Sequence, residues 1–228
     1  MSGPPTLVGY VDRKDIQEIW DYLDKHSLGI NKYRLKVNPA GGFSQCLGIV
    51  GKRCLPPNLS RQSWLHPKLH KLLDDFGQKH VKPHINWTSV QVNVNFSCAP
   101  HKDIGNIGDS YIVGFGGYAG GSLSIEGADY NIHLRGLLFN GSERLHWTKD
   151  WTGHRITLVY HTLEPRARFG LRVPLWSDFE AIQTEDGLWK IKRLSDGMLL
   201  CKKNPLPHPL LGRVKATPDE SSDAEGVN

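Results

Sequence analysis

Short strand-like segments separated by glycine-rich turns occupy residues 87–162, and this pattern limits the fold more than any other feature of the sequence. In residues 90–96, apolar side chains alternate with polar ones, which places them on opposite faces of a strand. Many short strands with glycine turns favour a sandwich or barrel. Further strands are predicted at 111–115, 122–125, 132–139 and 155–162, with turns at Gly116-Gly117, Gly120-Gly121 and Asn140-Gly141-Ser142.

Two amphipathic helices are predicted before this region. Apolar residues recur at helical spacing across residues 12–26, and a second stripe begins at Pro67, a residue favoured in the first turn of a helix. Both stripes are interpreted as core packing against a sheet. We therefore expect a mainly β fold with a few flanking helices, of the α+β class. The remaining predicted strands are 33–37, 43–50, 188–194 and 198–202.

The composition of the 228 residues, 39% of them hydrophobic, indicates one substantial core. A single domain is expected over residues 1–214, followed by a disordered acidic tail at 215–228. No apolar run is long enough to cross a bilayer, and the first residues lack the features of a secretory signal, so we expect a soluble, intracellular protein that needs no membrane. We also expect a monomer. The four cysteines form no CxxC pair, which predicts free thiols in a reducing compartment.

A basic stretch runs from Lys25 to Leu73 and contains nine lysines and arginines without one Asp or Glu. A field of one sign over such a length attracts polyanions such as nucleic acid. A solvated basic face without a partner explains the same pattern equally well. Charge alone does not separate these two interpretations.

His101 and Asp103 follow the strand at residues 90–96, and together they predict part of a metal site. Two His and one carboxylate on one side of a metal leave the opposite positions open, as in non-haem Fe(II) oxygenases. A third ligand must come from a later strand, and His146 fits because residues 144–147 are strand-like and follow a turn. The alternatives for this ligand are His133, His154 and His161.

Arg155 and Thr157 point to the same side of the strand predicted at residues 155–162. A guanidinium beside a hydroxyl is a good receptor for a carboxylate, because the Arg fork donates two hydrogen bonds and Thr adds another donor. The alternative is an ion pair from Arg155 to a nearby acid, with His146 as a core histidine. Each residue alone favours that alternative, whereas the ordered set favours a site.

The order of these residues resembles the Fe(II)- and 2-oxoglutarate-dependent dioxygenases. The resemblance rests on Pro100-His101-Lys102-Asp103, His146 and Gly153-His154-Arg155-Ile156-Thr157, and it covers about residues 87–162. The glycine-rich run at residues 112–123 is most similar to the TET/J-binding-protein branch, which oxidises the methyl group of 5-methylcytosine or thymine.

This resemblance implies a double-stranded β-helix, or jelly-roll, core. It also implies Fe(II) on His101, Asp103 and His146, with 2-oxoglutarate and O2 as co-substrates. The distal carboxylate of 2-oxoglutarate is then expected on Arg155 and Thr157. The strand that carries Asn93 and Asn95 is expected to direct both side chains towards the same molecule.

A nucleic-acid base is the substrate that the branch implies, with DNA favoured over RNA and a nuclear or nucleoid location to match. A base inside a duplex must be flipped out to reach a buried metal. The predicted substrate contacts are Tyr111, Tyr118, Trp147 and Trp151 as stacking residues and Lys102 beside the metal ligands. Core filling is the alternative role of each aromatic residue. Two other functions stay open, namely a prolyl-type hydroxylase of protein side chains and a non-catalytic nucleic-acid-binding module.

Overall fold

The computed structural model describes residues 3–29, 42–52, 55–163 and 174–200, without the side chains of residues 52, 55 and 56. Fifteen strands and three helices lie in these ranges, with a 3-10 turn at Trp176–Asp178. In chain order they are β1 (Thr6–Tyr10), α1 (Arg13–Lys25), β2 (Phe43–Lys52), β3 (Leu55–Leu59), α2 (Arg61–Leu65), α3 (Pro67–His80), β4 (Ser89–Val94), β5 (Asn106–Phe115), β6 (Tyr118–Gly120), β7 (Leu123–Ile125), β8 (Ala128–Tyr130), β9 (Arg135–Phe139), β10 (His146–Thr148), β11 (Trp151–Gly153), β12 (Ile156–Leu163), β13 (Phe179–Gln183), β14 (Trp189–Arg193) and β15 (Leu199–Leu200).

A seven-stranded sheet is the main layer, with the order β1-β9-β5-β12-β4-β2-β3 and antiparallel pairing throughout. Two smaller sheets, β10-β7-β8 and β11-β6, accompany it, and β13-β14-β15 form a separate sheet. The mainly β architecture with few helices confirms the predicted fold class. It is consistent with a jelly-roll core, in which two antiparallel layers enclose a site.

One face of the main sheet is covered by α1 and α3. Their apolar stripes pack against alternating residues of the central strands, which confirms that both stripes are core. Asp12 begins α1 as its N-cap, since its carboxylate accepts a hydrogen bond from the backbone N–H of Lys14. Members of this core include Ile16, Ile19, Leu69, Leu73, Val90, Val92, Val94, Val113, Phe115, Ile156, Leu158 and Tyr160.

The other face of the same strands carries polar residues and lines a cavity. On β4 and β12 the alternate positions are occupied by Gln91, Asn93, Thr157 and Val159. A second apolar cluster, with residues of β5, β7 and β9, lies between the main sheet and the β10-β7-β8 sheet. The period of two therefore separates a helix-covered face from a face that surrounds the cavity.

Asn95 interrupts the alternation that residues 90–96 predict. It follows the end of β4 with φ of 49°, a left-handed conformation that Asn tolerates better than most residues. As a result Phe96 lines the cavity and does not continue the helix-facing row of Val90, Val92 and Val94. The predicted grouping of Phe96 with these valines is wrong, because one left-handed residue reverses the parity of the chain.

Most predicted elements are present with shifted ends. β5 begins at Asn106, five residues before the predicted start, and the helix predicted at residues 12–26 spans Arg13–Lys25. The strand predicted at 33–37, the end of the last strand and the tail at 215–228 lie outside the described residues. No helix in the described ranges is long and apolar enough to cross a membrane. Elements that the patterns did not predict are β1, β3, α2, β6, β8, β11 and β13.

Candidate metal and co-substrate site

His101 and His146 are direct backbone partners, although they come from segments far apart in the chain. The N–H of each residue donates to the carbonyl of the other at 3.0 Å. This antiparallel bridge joins His101 to the first residue of β10 and places the two imidazole rings 4.3 Å apart, centre to centre. Strand pairing therefore sets the position of the two predicted histidine ligands.

Asp103 completes a group of three. Its backbone N–H donates to the carbonyl of Gly141 at 2.8 Å. Its carboxylate lies 3.7 Å from Nε2 of both His101 and His146. One ligand atom from each of the three residues lies within 4.8 Å of the others, and the group is the only one of its kind among the described residues.

The two histidine rings are oriented by backbone carbonyls. Nδ1 of His101 lies 2.8 Å from the carbonyl of Ala99, and Nδ1 of His146 lies 2.9 Å from that of Arg144. A carbonyl only accepts hydrogen bonds, so each Nδ1 is the donor, and Nε2 on the side of Asp103 is the nitrogen left to bind a metal. This arrangement of ring and carbonyl is common around metal-bound histidine. The three residues fit a divalent metal ion.

The other histidines considered for the third position lie elsewhere. His133 places Nε2 at 3.1 Å from the carbonyl of Gly116, and the ring of His154 packs beside Trp20 of α1. His161 lines the cavity but is not a member of the group of three.

Arg155 is buried beside the same cavity, with 3% of its surface exposed. Its Nε and Nη2 donate to the carbonyl of Gly121 at 3.2 and 3.0 Å. Among the described residues no carboxylate lies within ion-pair distance of it, and burial lowers the pKa of its guanidinium. The predicted alternative of an ion pair with an acid is therefore not found in this part of the chain. A buried cation of this kind is costly unless an anion binds beside it.

Thr157 and Asn93 line the cavity with Arg155, whereas Asn95 does not. Asn93 Nδ2 donates to Thr157 Oγ1 at 3.1 Å. Asn95 is exposed, and its Oδ1 accepts a hydrogen bond from the backbone N–H of Arg155 at 2.8 Å. The prediction that Asn95 faces the co-substrate is thus corrected. Its left-handed backbone turns the side chain towards the start of β12, where it holds the Arg155 backbone.

Two of the predicted stacking residues contact Arg155. The ring centres of Tyr118 and Trp151 lie 5.5 and 5.4 Å from its guanidinium carbon. Their strands β6 and β11 pair with each other, which brings both rings to the same cation. Rings at this distance stabilise a cation through their negative faces. The structure places these two residues around the buried arginine, and neither of them lines the cavity.

The remaining predicted substrate contacts do not line the cavity. Tyr111 is 1% exposed and packs with Tyr160 in the core on the helical side of the main sheet, because its position on β5 has the opposite parity to Ile112. Trp147 lies between two cavity residues of β10 and therefore points to the other face of that strand. Lys102 is exposed between two ligands of the group of three.

Several cavity residues were not predicted. Gln91 has the same parity as Asn93 on β4, and His161 has the same parity as Thr157 on β12. The alternation of these strands therefore indicates that both residues face the cavity. The others come from separate elements and carry no local pattern. His161 was considered only as an alternative metal ligand. The lining residues that were not predicted as part of a site are Gln91, Phe96, Cys98, Asn106, Ile112, Leu123, Phe139, Thr148 and Val159.

The basic stretch lies partly away from this cavity. Lys25 ends α1, and Lys68 and Lys71 belong to α3, so these three residues lie in the helical layer on the opposite face of the main sheet. Lys71 also pairs with Asp75 on its own helix. Several other basic residues of the stretch lie outside the described ranges. The other basic residue of the stretch with a described side chain, Arg61, begins α2, and none of these four residues lines the cavity.

No family model and no curated protein matches the chain. Among solved structures, NgTET1 in complex with 5mC DNA aligns with 72% of this chain and 74% of its own, at 15% identity and a TM-score of 0.51. A 2OG-Fe(II) oxygenase family oxidoreductase from Burkholderia pseudomallei aligns with 69% of this chain and 84% of its own, at 13% identity and a TM-score of 0.50. Both likenesses confirm that the chain has the fold of the 2OG-Fe(II) oxygenases.

Proposed function

We propose that this chain is an Fe(II)- and 2-oxoglutarate-dependent dioxygenase. The observation that carries the proposal is the presence, in one cavity, of the group His101, Asp103 and His146 and of a buried Arg155 without an acid partner among the described residues. A metal-binding group alone suits many proteins. A buried cation beside it calls for an anionic ligand that reaches both, and a dicarboxylate such as 2-oxoglutarate has the charge for this role.

The protein side chains act in this mechanism mainly by binding and orienting. His101, Asp103 and His146 would hold Fe(II), and the carbonyls of Ala99 and Arg144 keep the histidine lone pairs directed at it. Bound iron supplies the oxidation of a substrate C–H bond, coupled to the conversion of 2-oxoglutarate and O2 into succinate and carbon dioxide. No proton-transferring side chain is required beyond this group.

Arg155 and Thr157 would bind the distal carboxylate of 2-oxoglutarate. The guanidinium donates to Gly121 from Nε and from one of the two N–H groups of Nη2, so further N–H groups remain for the ligand. The bound carboxylate also offsets the cost of burying the cation. The co-substrate would then bind with one end at the metal group and the other at Arg155.

For the substrate, we propose a methyl group on a nucleic-acid base, 5-methylcytosine or thymine, in DNA rather than RNA. NgTET1, whose fold this chain shares, was solved with 5mC DNA. The cavity also combines the apolar Ile112 and Val159 with the polar Gln91, Asn106 and His161. An apolar cavity wall with a few hydrogen-bonding groups suits a flipped base. The described lysines of the basic stretch do not support a nucleic-acid substrate at the cavity, because they lie on the opposite face of the main sheet.

The test is mass spectrometry of nucleosides from DNA incubated with the protein, Fe(II), 2-oxoglutarate, O2 and ascorbate. Parallel reactions with methylated DNA, unmethylated DNA, RNA and proline-rich peptides measure succinate release. We expect oxidised 5-methylcytosine or thymine, and His101→Ala and Asp103→Ala variants without product or bound iron. If only peptide stimulates succinate release, the substrate proposal is wrong and a prolyl-type hydroxylase replaces it. If the wild-type protein binds no iron without oxygen, the enzyme proposal fails and a binding module remains.

A further inference from the structure

A row of buried polar side chains crosses three adjacent strands of the main sheet, β2, β4 and β12, and ends near Arg155. Ser44 of β2 lies opposite Asn93 of β4, and Asn93 lies opposite Thr157 of β12. These three residues are 1%, 8% and 2% exposed. Asn93 and Thr157 line the cavity, whereas Ser44 lies behind them and does not.

The hydrogen bonds in this row run in one direction. Gln91 Nε2 donates to Ser44 Oγ at 2.8 Å, and Ser44 Oγ donates to Asn93 Oδ1 at 2.6 Å. Asn93 Nδ2 then donates to Thr157 Oγ1 at 3.1 Å. A hydroxyl has only one proton, and Ser44 uses its proton on Asn93. Thr157 receives a hydrogen bond from Asn93, so its own proton is left for a ligand in the cavity.

Resting on the proposed function, we propose that Ser44 is a positioning residue for the distal carboxylate of 2-oxoglutarate. Its hydroxyl holds the amide of Asn93 with Oδ1 towards β2 and Nδ2 towards Thr157. This orientation makes Thr157 a hydrogen-bond donor to the carboxylate beside Arg155. Linked hydrogen bonds in a site of low dielectric strengthen one another, which makes the final donor sensitive to the first.

Removal of the Ser44 hydroxyl changes the preferred orientation of the Asn93 side-chain amide. Without that donor, the amide gains by rotating half a turn and offering Oδ1 to Thr157, since a buried carbonyl oxygen without a partner is costly. The Thr157 hydroxyl then donates its hydrogen bond to Asn93 Oδ1. The distal carboxylate of 2-oxoglutarate therefore loses a hydrogen-bond donor. Ser44 does not line the cavity, so the effect reaches the ligand through its hydrogen-bond partners. Asn93 leads to Thr157, and Gln91, which loses its acceptor, lines the cavity itself.

The experiment measures binding by calorimetry to the Mn(II)-loaded full chain without oxygen. Two ligands are compared, 2-oxoglutarate and 2-oxopentanoate, which lacks the distal carboxylate. Ser44→Ala is expected to raise the Kd of 2-oxoglutarate about tenfold, the effect of losing one hydrogen bond to a charged group. It is expected to leave the Kd of 2-oxopentanoate and of Mn(II) unchanged. Ser110→Ala is the matched control, since Ser110 is buried in the same sheet and its hydroxyl has no hydrogen-bond partner among the described residues.

A double-mutant cycle with Thr157→Val separates positioning from a general structural effect. Ser44→Ala is expected to add nothing to the loss caused by Thr157→Val, because both changes remove the same donor. Additive losses, equal losses for both ligands, or no loss would overturn the proposal. Ser44→Thr, which keeps the hydroxyl, provides a second readout if the alanine variant does not fold, and it should retain wild-type selectivity. If the wild-type protein binds neither ligand, the proposed function fails first.

Discussion

The environment of Arg155 is the clearest structural indication that the cavity binds a ligand. Its side chain is buried against one carbonyl and two aromatic rings, and no carboxylate is paired with it in the described part of the chain. A structural arginine in a core normally has its charge compensated, because a lone buried cation is destabilising. The arrangement is therefore better explained by ligand binding than by stability of the protein alone.

Arg155→Met is expected to raise the Kd of 2-oxoglutarate at least about 100-fold, since a bidentate hydrogen-bonded ion pair is lost. The free energy of unfolding of the ligand-free protein is expected to stay equal or to increase, because an uncompensated buried charge is removed. Calorimetry and denaturant titration measure the two quantities. Arg135→Met is the matched control, since Arg135 is a half-buried arginine that contacts Tyr10 away from the cavity. A large loss of stability in Arg155→Met with unchanged ligand affinity would contradict the assignment.

At the scale of elements, short strands hold the arginine in place. Strands β6 and β11 contain three residues each, yet they place Tyr118 and Trp151 around the guanidinium. Gly121 follows β6, accepts both guanidinium hydrogen bonds and has φ of +67°. A Cβ at this position would lie 2.8 Å from Arg155 Nε and 3.1 Å from Trp151 Cβ. The glycine is required here both by the backbone and by the close approach of Arg155.

Gly121→Ala is expected to displace the Arg155 side chain and to raise the Kd of 2-oxoglutarate about tenfold, a loss comparable to one charge-assisted hydrogen bond. The backbone strain of a left-handed alanine should also lower the free energy of unfolding by about 1 kcal/mol. Gly127→Ala separates the two effects, since Gly127 has φ of +91° with no atom within 4 Å of its Cβ position. Both variants should lose similar stability, and only Gly121→Ala should lose affinity. Equal affinities in the two variants would rule out the crowding of Arg155.

At the scale of the whole molecule, the main sheet separates a helix-covered face from the face that surrounds the site. The helical layer is joined at its surface by Asp15 of α1, whose carboxylate accepts hydrogen bonds from Lys79 Nζ and His80 Nε2 of α3 at distances between 2.7 and 2.9 Å. The hydrogen bond from Lys79 is the main cause of a lowered pKa of the Asp15 carboxyl. This contact contributes to global stability and lies behind the sheet, away from the cavity.

Asp15→Asn is expected to lower the free energy of unfolding at pH 7 by about 0.5 to 1 kcal/mol, since solvent screens the half-exposed Lys79. The pKa of Asp15 is lowered in the folded chain, so its contribution is present above the pKa of an unfolded aspartate. It is lost as the pH falls through the folded value. The difference between wild type and variant should therefore shrink below about pH 4. Denaturant titrations at pH 7 and pH 3 measure it, with the exposed Asp24→Asn as control. If the difference in the free energy of unfolding between wild type and Asp15→Asn grew at low pH, the predicted direction of the pH dependence would be wrong.

Local pattern was sufficient for the elements with a clear period. Helices α1 and α3 and strands β4 and β12 repeat over enough residues for the buried face to be predicted. The three-residue strands β6, β8 and β11 are too short for such a repeat. Strands β6 and β11 pair with each other from distant parts of the chain, whereas β8 pairs with the preceding strand β7. Asn95 is a further example. The alternation of side chains along β4 does not indicate that a left-handed residue will reverse the alternation at this position.

The sequence by itself determined the chemistry of the candidate site: two histidines and a carboxylate in the right order, then an arginine and a threonine on one strand face. Residue type and period carry that information locally. Only the tertiary structure decided which histidine completes the group, because the choice depends on the backbone bridge between His101 and His146 across 45 positions of the chain. The structure also decided that Arg155 is buried without an acid among the described residues and that Tyr118 and Trp151 surround it. Charge compensation and ring contacts depend on distances between strands, which no local pattern contains.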